Sequence, residues 1–312
     1  MAITNFPDGI SSFGIPIVSS HGGTKGDYWF VDGDLATQGN GKSWDNAFNT
    51  FAAAVAALSD DDVIFVAPGN YNEGTTHVIT ESNVKIIGSS TGYELSAGST
   101  LASYVDGDDE GDEDILRLEG SNIEVTNLTF LGGNGYWCID CSISGNPSGN
   151  WVHGCYFYSG AQNGCYGVQM GNREESGYGN AVSMTVEDNH FFKCNKGVIM
   201  DGSRQILRRN TFWAYGAGSV QVENPQSGTQ RGHQDIVDNK FIVQGTASTE
   251  RGIYLSGASS PTIGTVMIDD NKFVNFGSAT YACNKLSGYG GWNMLGDQYL
   301  TDANPPVATS IT

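Results

Sequence analysis

The sequence predicts an all-β protein wound as a parallel β-helix, and three observations predict it. A short phrase recurs across residues 184–273: Val186-Glu187-Asp188-Asn189-His190-Phe191, Leu207-Arg208-Arg209-Asn210-Thr211-Phe212, Val237-Asp238-Asn239-Lys240-Phe241 and Ile268-Asp269-Asp270-Asn271-Lys272-Phe273. Its asparagines lie 21, 29 and 32 residues apart. Most copies are followed by a second strand-like phrase: Gly197-Val198-Ile199-Met200, Gly218-Ser219-Val220-Gln221-Val222 or Arg251-Gly252-Ile253-Tyr254-Leu255. Glycine makes up 43 of 312 residues, against an ordinary share of about 7%, and suits a chain with many tight turns. A repeat of this length with strands and no helix cannot bury its own apolar side. It must stack on its neighbours.

Strand alternation turns Val186 and Phe191 inward and their polar neighbours outward. The Asn belongs at a corner, where its short amide bonds to backbone, tolerates the left-handed conformation and forms a ladder with copies above and below. The phenylalanines stack one coil apart. Residues 123–130 are an early copy with Leu128 at the Asn position, and residues 152–157 another with Cys155 there. Roughly eight or nine coils follow residue 63, and at about 4.8 Å per coil the rod is on the order of 40 Å long.

In chain order, residues 1–27 form an arm and linker. Phe6-Pro7-Asp8-Gly9 signals a turn, residues 10–18 an extended apolar segment, and residues 19–26 a polar, Gly-rich link. The arm reads either as a strand lying along the solenoid or as an anchor carried by Phe6, Pro7, Ile10, Phe13, Ile15 and Pro16. The β-helix occupies residues 28–300, opening on the strand Tyr28-Trp29-Phe30-Val31-Asp32. A helix is expected over residues 44–58, capped by Ser43 or Asp45, with Ala47, Phe48, Phe51, Ala52, Val55 and Leu58 as its apolar stripe. A solenoid's first coil needs a cover, and this helix supplies it. Asp60-Asp61-Asp62 disfavours further helix by its dipole and marks a turn. Strands follow at residues 63–67, 84–88 and 115–118, and the last phrase is Trp292 to Tyr299. Residues 301–312, polar and with Pro305-Pro306, are a loose or partner-bound tail.

The order of strand, Gly39 to Trp44, helix and then residues 63–71 resembles the opening of proteins with the right-handed parallel β-helix of the pectate-lyase-like superfamily. The resemblance runs over residues 28–300. It implies a right-handed coil with a capping helix; such a fold hosts lyases, hydrolases and structural proteins alike.

The formal charge is −19, which argues against nucleic-acid backbone or anionic membrane as partner. No apolar run approaches a membrane span, and no signal peptide opens the sequence, so export by that route is not expected. Cys138 and Cys141 form a lone C-x-x-C without the second pair a zinc site wants. All six cysteines read as reduced packing residues. No cofactor is required.

Residues 106–114 hold seven carboxylates in nine positions. Asp106, Asp108, Asp109, Glu110 and Asp112 make calcium the candidate ion, although the spacing is not that of an EF-hand loop; a solvated loop is the other reading. Gly107-Asp108-Asp109 and Gly232-His233-Gln234 resemble two polygalacturonase motifs, but the first and last motifs of that set are missing. No catalytic residue is therefore assigned. Asp188, Asp238 and Asp270, beside Arg208 and Arg209, read as a structural column on one face. None of His21, His77, His153, His190 and His233 has a partner at ligand spacing. Tyr136, Trp137, Trp151, Tyr156, Tyr158, Trp213, Tyr215, Tyr281, Tyr289 and Trp292 form an aromatic rim suited to a subunit interface, loop packing or sugar stacking.

Residues 4–16, Thr-Asn-Phe-Pro-Asp-Gly-Ile-Ser-Ser-Phe-Gly-Ile-Pro, resemble the start of tailed-bacteriophage virion proteins encoded among head genes. That resemblance implies a non-enzymatic capsid decoration protein or head fibre, a homotrimer assembled in the host cytoplasm. Its N-terminal arm would hold the major capsid protein or another virion protein, and the rod would stand on the outer surface of the capsid. A host-surface glycan is a further candidate partner. The alternatives are a tailspike-like or secreted polysaccharide depolymerase, and a carbohydrate-binding protein without catalysis.

Overall fold

The computed structural model describes residues 26–89, 99–102, 114–133, 135–141, 147–159, 165–171, 182–214, 220–226, 233–243, 251–257, 266–276, 283–285, 292–295, 298–300 and 308–310, together with Ser11–Ser12 and Ile15–Pro16. These residues build a parallel β-helix with three sheets. The first has ten strands, from Tyr28–Val31 to Trp292–Leu295; the second has ten, from Gly69–Asn72 to Ala308–Ser310; the third has eight, from His77–Ile79 to Cys283–Lys285. Each coil contributes one strand to each sheet in turn, and coil-to-coil pairing is parallel. Ten stacked strands at about 4.8 Å give a rod of roughly 43 Å, as the repeat count predicts.

The register places the repeat as expected. Val125, Val152, Val186, Leu207, Ile236 and Ile268 pair along the first sheet, all fully buried. Phe130, Phe157, Phe191, Phe212, Phe241 and Phe273 pair along the second and stack face to face, at centroid separations of 4.6 to 5.0 Å. At the corner between the two sheets stands the asparagine ladder. The Nδ2 of Asn189, Asn210 and Asn239 each donates to Oδ1 of the next Asn at 3.0 Å. The same Oδ1 atoms accept the preceding rung's backbone N–H at 3.0 Å. Asn189 Oδ1 takes the N–H of Cys155 and so closes the ladder's near end. One expectation is corrected: the left-handed residue is the one before the Asn, with φ between 53° and 56° at Asp188, Arg209, Asp238 and Asp270. The Asn is spent on bonding; its neighbour makes the bend.

The cap differs from a helix over 44–58. Trp44–Asn46 is a single 3-10 turn and Phe51–Ala56 a short α-helix. Between them the chain is extended, because Phe48 bonds Phe30 and Asp32 as a strand would and Asn46 and Ala47 are tied to Gly41 and Gly39. Neither Ser43 nor Asp45 caps the α-helix; Thr50 does, accepting from Ala53 N at 3.3 Å, and the Glu73 carboxylate takes the N–H groups of Phe51 and Ala52. Phe51 and Ala54 still close the first coil, fully buried. The turn at Asp60–Asp62 forms as expected, with buried Asp62 receiving Asp27 N, Trp29 Nε1 and Ser59 N. The tail is not wholly loose: Ala308–Ser310 pairs antiparallel with Gln298–Leu300 at the end of the second sheet, where an edge would otherwise be open. Early in the sequence, Ser11–Ser12 and Ile15–Pro16 pair antiparallel with each other.

Candidate functional site

The outer face of the first sheet carries a connected set of ion pairs and hydrogen bonds. Two outward columns flank the buried valine row. Glu124, Trp151 and Thr185 form one; Thr126, His153, Glu187 and Arg208 form the other. Because coils repeat at one strand spacing, side chains far apart in sequence meet here. Lys85 Nζ lies 2.8 Å from Glu124 Oε2, and His153 Nε2 lies 3.1 Å from Glu124 Oε1. Thr126 Oγ1 is 3.3 Å from His153 Nδ1. The Trp151 ring stacks on His153 with centroids 3.8 Å apart, and its Nε1–H donates to Glu187 Oε1 at 2.8 Å.

Glu187 is the hub of the next coil. Arg208 Nε donates to its Oε2, and Arg209 Nη2 to the same oxygen at 2.7 Å. Arg209 also grips Asp188 through Nε and Nη2, at 2.9 and 2.8 Å. These contacts set the charge states. The His153 hydrogen bond, with Lys85 beside it, brings the Glu124 carboxyl down to about 2. Burial opposes ionisation of Glu187, but Arg208 and then Arg209 outweigh it and hold that carboxyl below its ordinary value. The Arg209 hydrogen bond does the same for Asp188. The result is a fixed lattice of charges around one large exposed ring: Trp151 is 37% exposed, while Glu187 is 4% exposed.

The Asp188–Arg209 pair, expected on one face, is therefore formed; Asp238 and Asp270 share its corner position without a comparable pair among the described residues. The Glu124, Trp151, His153 and Glu187 group was not singled out from sequence. Its signal was available, since aligning residues 123–130, 151–157, 185–191 and 206–212 by their Phe puts these side chains in two adjacent columns. Of the aromatic rim, Tyr136, Trp151 and Trp213 are exposed. Trp137 and Tyr166 pack against each other, as do Tyr158 and Phe192. Tyr215, Tyr281 and Tyr289 lie outside the described residues, as do Asp106, Asp108, Asp109, Glu110 and Asp112 of the calcium candidate and Phe6, Pro7, Ile10 and Phe13 of the arm. Ile15 and Pro16 fall in the small hairpin. His77 is buried beside Glu73, His190 is exposed beside Tyr156, and His233 pairs with Asp235 at 2.7 Å.

The cysteines are free thiols, five of them buried. Three line up in the interior. Cys138 lies in the third-sheet strand Trp137–Asp140, and Cys165 and Cys194 lie just before the third-sheet strands of the next two coils, with Cys165 Sγ 3.3 Å from Cys194 Sγ and in contact also with Cys138.

The structure is similar to pectate lyase Pel9A at TM-score 0.51 and 12% identity, over 90% of this chain and 78% of that one. It is also similar to a pectin methylesterase solved with a hexasaccharide, at TM-score 0.40 and 14% identity, over 90% and 84% of the two chains. No curated protein matches the sequence. The family described as "NosD: Periplasmic copper-binding protein (NosD)" matches residues 105–287, more than half of the chain. Among the described residues, no three His, Cys, Asp or Glu groups are placed to hold a metal ion. Cys138, Cys165 and Cys194 do not form such a group either. No step is derived through copper. By the extent of that match, the chain belongs to the NosD family.

Proposed function

We propose that the chain is a non-catalytic β-helical display protein that contacts glycan through the Trp151 face. On this reading residues 1–27 anchor it, as a trimeric decoration protein or head fibre, to the outside of a tailed-phage capsid. One observation carries the glycan contact: an exposed indole laid on a flat sheet and framed by carboxylates and guanidinium groups already fixed in place. An aromatic face stacks on the C–H side of a sugar ring, while neighbouring oriented polar groups receive its hydroxyls. Preorganised groups lose little freedom on binding. The same lattice supports the non-catalytic reading. A general acid works best with its pKa near the operating pH, whereas Glu124 is held as a carboxylate by the His153 hydrogen bond and Lys85, and Glu187 and Asp188 by Arg208 and Arg209. The anchoring reading rests on the sequence of the arm.

The test is a panel of neutral and acidic polysaccharides incubated with the pure protein. Retention without chain shortening, lost in Trp151→Ala, is the expected result. Shortening of any polymer would replace this reading with a depolymerase, and no retention on any member would remove the glycan contact. Deleting residues 1–20 should abolish capsid association while the rod stays folded; unchanged association would remove the anchor.

A further inference from the structure

The thiol column is unused by the surface lattice and sits where a β-helix ordinarily keeps apolar side chains. Cys138, Cys165 and Cys194 are each fully buried. The column is tightly enclosed: a Cβ at Gly132 would lie 2.4 Å from Cys165 Cβ and 2.8 Å from Cys138 Sγ, so only glycine leaves room for the sulfurs. Cys194 Sγ further faces the carbonyls of Phe157 and Phe192 at 3.9 Å. Asn195 N–H donates to the Cys165 carbonyl at 2.9 Å, which fixes the two coils beside each other at the thiols. Tyr166 pairs with Lys196, so Cys194 is one residue from the position opposite Cys165 on a coil about 4.8 Å away, close enough for the Cα window of roughly 4.4–6.8 Å that disulfides occupy.

We propose that Cys165 is the shared member of an oxidisable thiol column, forming a cross-coil disulfide with Cys194 and, in its absence, with Cys138. The sulfurs need close only from 3.3 Å to about 2.05 Å, by side-chain rotation within the column. Cys165 is the attacking group. It receives hydrogen bonds from Cys138 and Cys194 that favour its thiolate, whereas burial pushes the other two thiols up. With hydrogen peroxide as oxidant, the Cys165 thiolate attacks one oxygen, the O–O bond breaks and the released hydroxide takes a proton to leave as water. The Cys165 sulfenic acid is then displaced at sulfur by Cys194, its S–O bond breaks, and a second water leaves. Two thiols lose two electrons and two protons, and one peroxide becomes two waters. Enclosure makes the rate follow local opening of the coils.

The test uses the full chain, treated with excess hydrogen peroxide, unfolded in the presence of an alkylating reagent and mapped by peptide mass spectrometry without reduction. A linked peptide pair joining Cys165 to Cys194 is expected. Cys194→Ser should redirect the link to Cys138 and Cys165, and Cys165→Ser should leave no link between coils. The linked protein should melt higher, by on the order of 5 °C, because the bond closes a loop of 29 residues. Six alkylated thiols in oxidised wild-type protein, or Cys165 recovered as sulfinic acid with Cys194 free, would overturn the proposal. So would a link that persists in Cys165→Ser.

Discussion

Replacing Asn239 by Ala removes a whole rung of the asparagine ladder, and the cost can be worked contact by contact. The Asn239 side chain accepts from Asn210 N and Nδ2 and donates to the carbonyls of Leu207 and Val237 and to Asn271 Oδ1, each at 3.0 Å. Several of these partners keep other bonds. Asn210 Nδ2 retains the Val186 and Arg208 carbonyls, Asn271 Oδ1 retains Asn239 N, and the Val237 carbonyl retains Arg209 N. The Asn210 N–H loses the acceptor it has in this structure, in a residue only 1% exposed. An orphaned buried donor costs about 1–3 kcal/mol, and the bond lost at Leu207 adds roughly 1. With a small cavity, Asn239→Ala should destabilise by about 3–5 kcal/mol. Asn239→Leu fills the space, as Leu128 does in the same column, and should cost less, about 2–4 kcal/mol, because only the orphaned groups remain. Urea denaturation gives the difference, with exposed Lys240→Ala as a control expected within about 0.5 kcal/mol of wild type. Hydrogen exchange localises it to the Asn210 amide. A loss below about 1 kcal/mol for Asn239→Ala, with unchanged exchange at Asn210, would refute the reasoning.

Phe212 sits mid-stack between Phe191 and Phe241, fully buried, so Phe212→Ala should cost about 3–5 kcal/mol in the same assay. Gly197→Ala places a Cβ 2.4 Å from the Gln221 carbonyl oxygen and 2.8 Å from the Phe212 ring; overpacking of about 1–3 kcal/mol is expected, read as a lowered Tm. Acid should act through Glu124, whose folded value of about 2 lies below its ordinary 4.5. A depressed carboxyl adds stability that is full above the ordinary value and is lost as pH falls toward the folded one. The denaturation midpoint of wild type should therefore drop between pH 4.5 and 2 more steeply than that of Glu124→Gln; parallel curves would count against the His153 and Lys85 contacts.

The sequence by itself determined the coil. An Asn and a Phe two residues apart, preceded by an inward apolar residue and repeated at strand-bearing intervals, admit no compact alternative, because each copy has an apolar side that only another copy can cover. Even the substitutions Leu128 and Cys155 at the Asn position were readable from the Phe that follows them. The cap was less legible. An apolar stripe across residues 47–58 has helical spacing, but backbone bonds from Phe48 to Phe30 and Asp32 hold half of it extended, and those partners are remote in the stripe's own periodicity. The contacts of the Trp151 lattice and of the thiol column belonged to tertiary structure, although aligning the copies on their Phe already sets Glu124, Trp151, His153 and Glu187 in adjacent columns. Glu124, Trp151 and Glu187 come from three coils separated by insertions of unequal length, and Cys138, Cys165 and Cys194 lie further along the same three coils. Only the stacking distance of one strand, imposed by the backbone hydrogen bonds between coils, brings them within bonding reach.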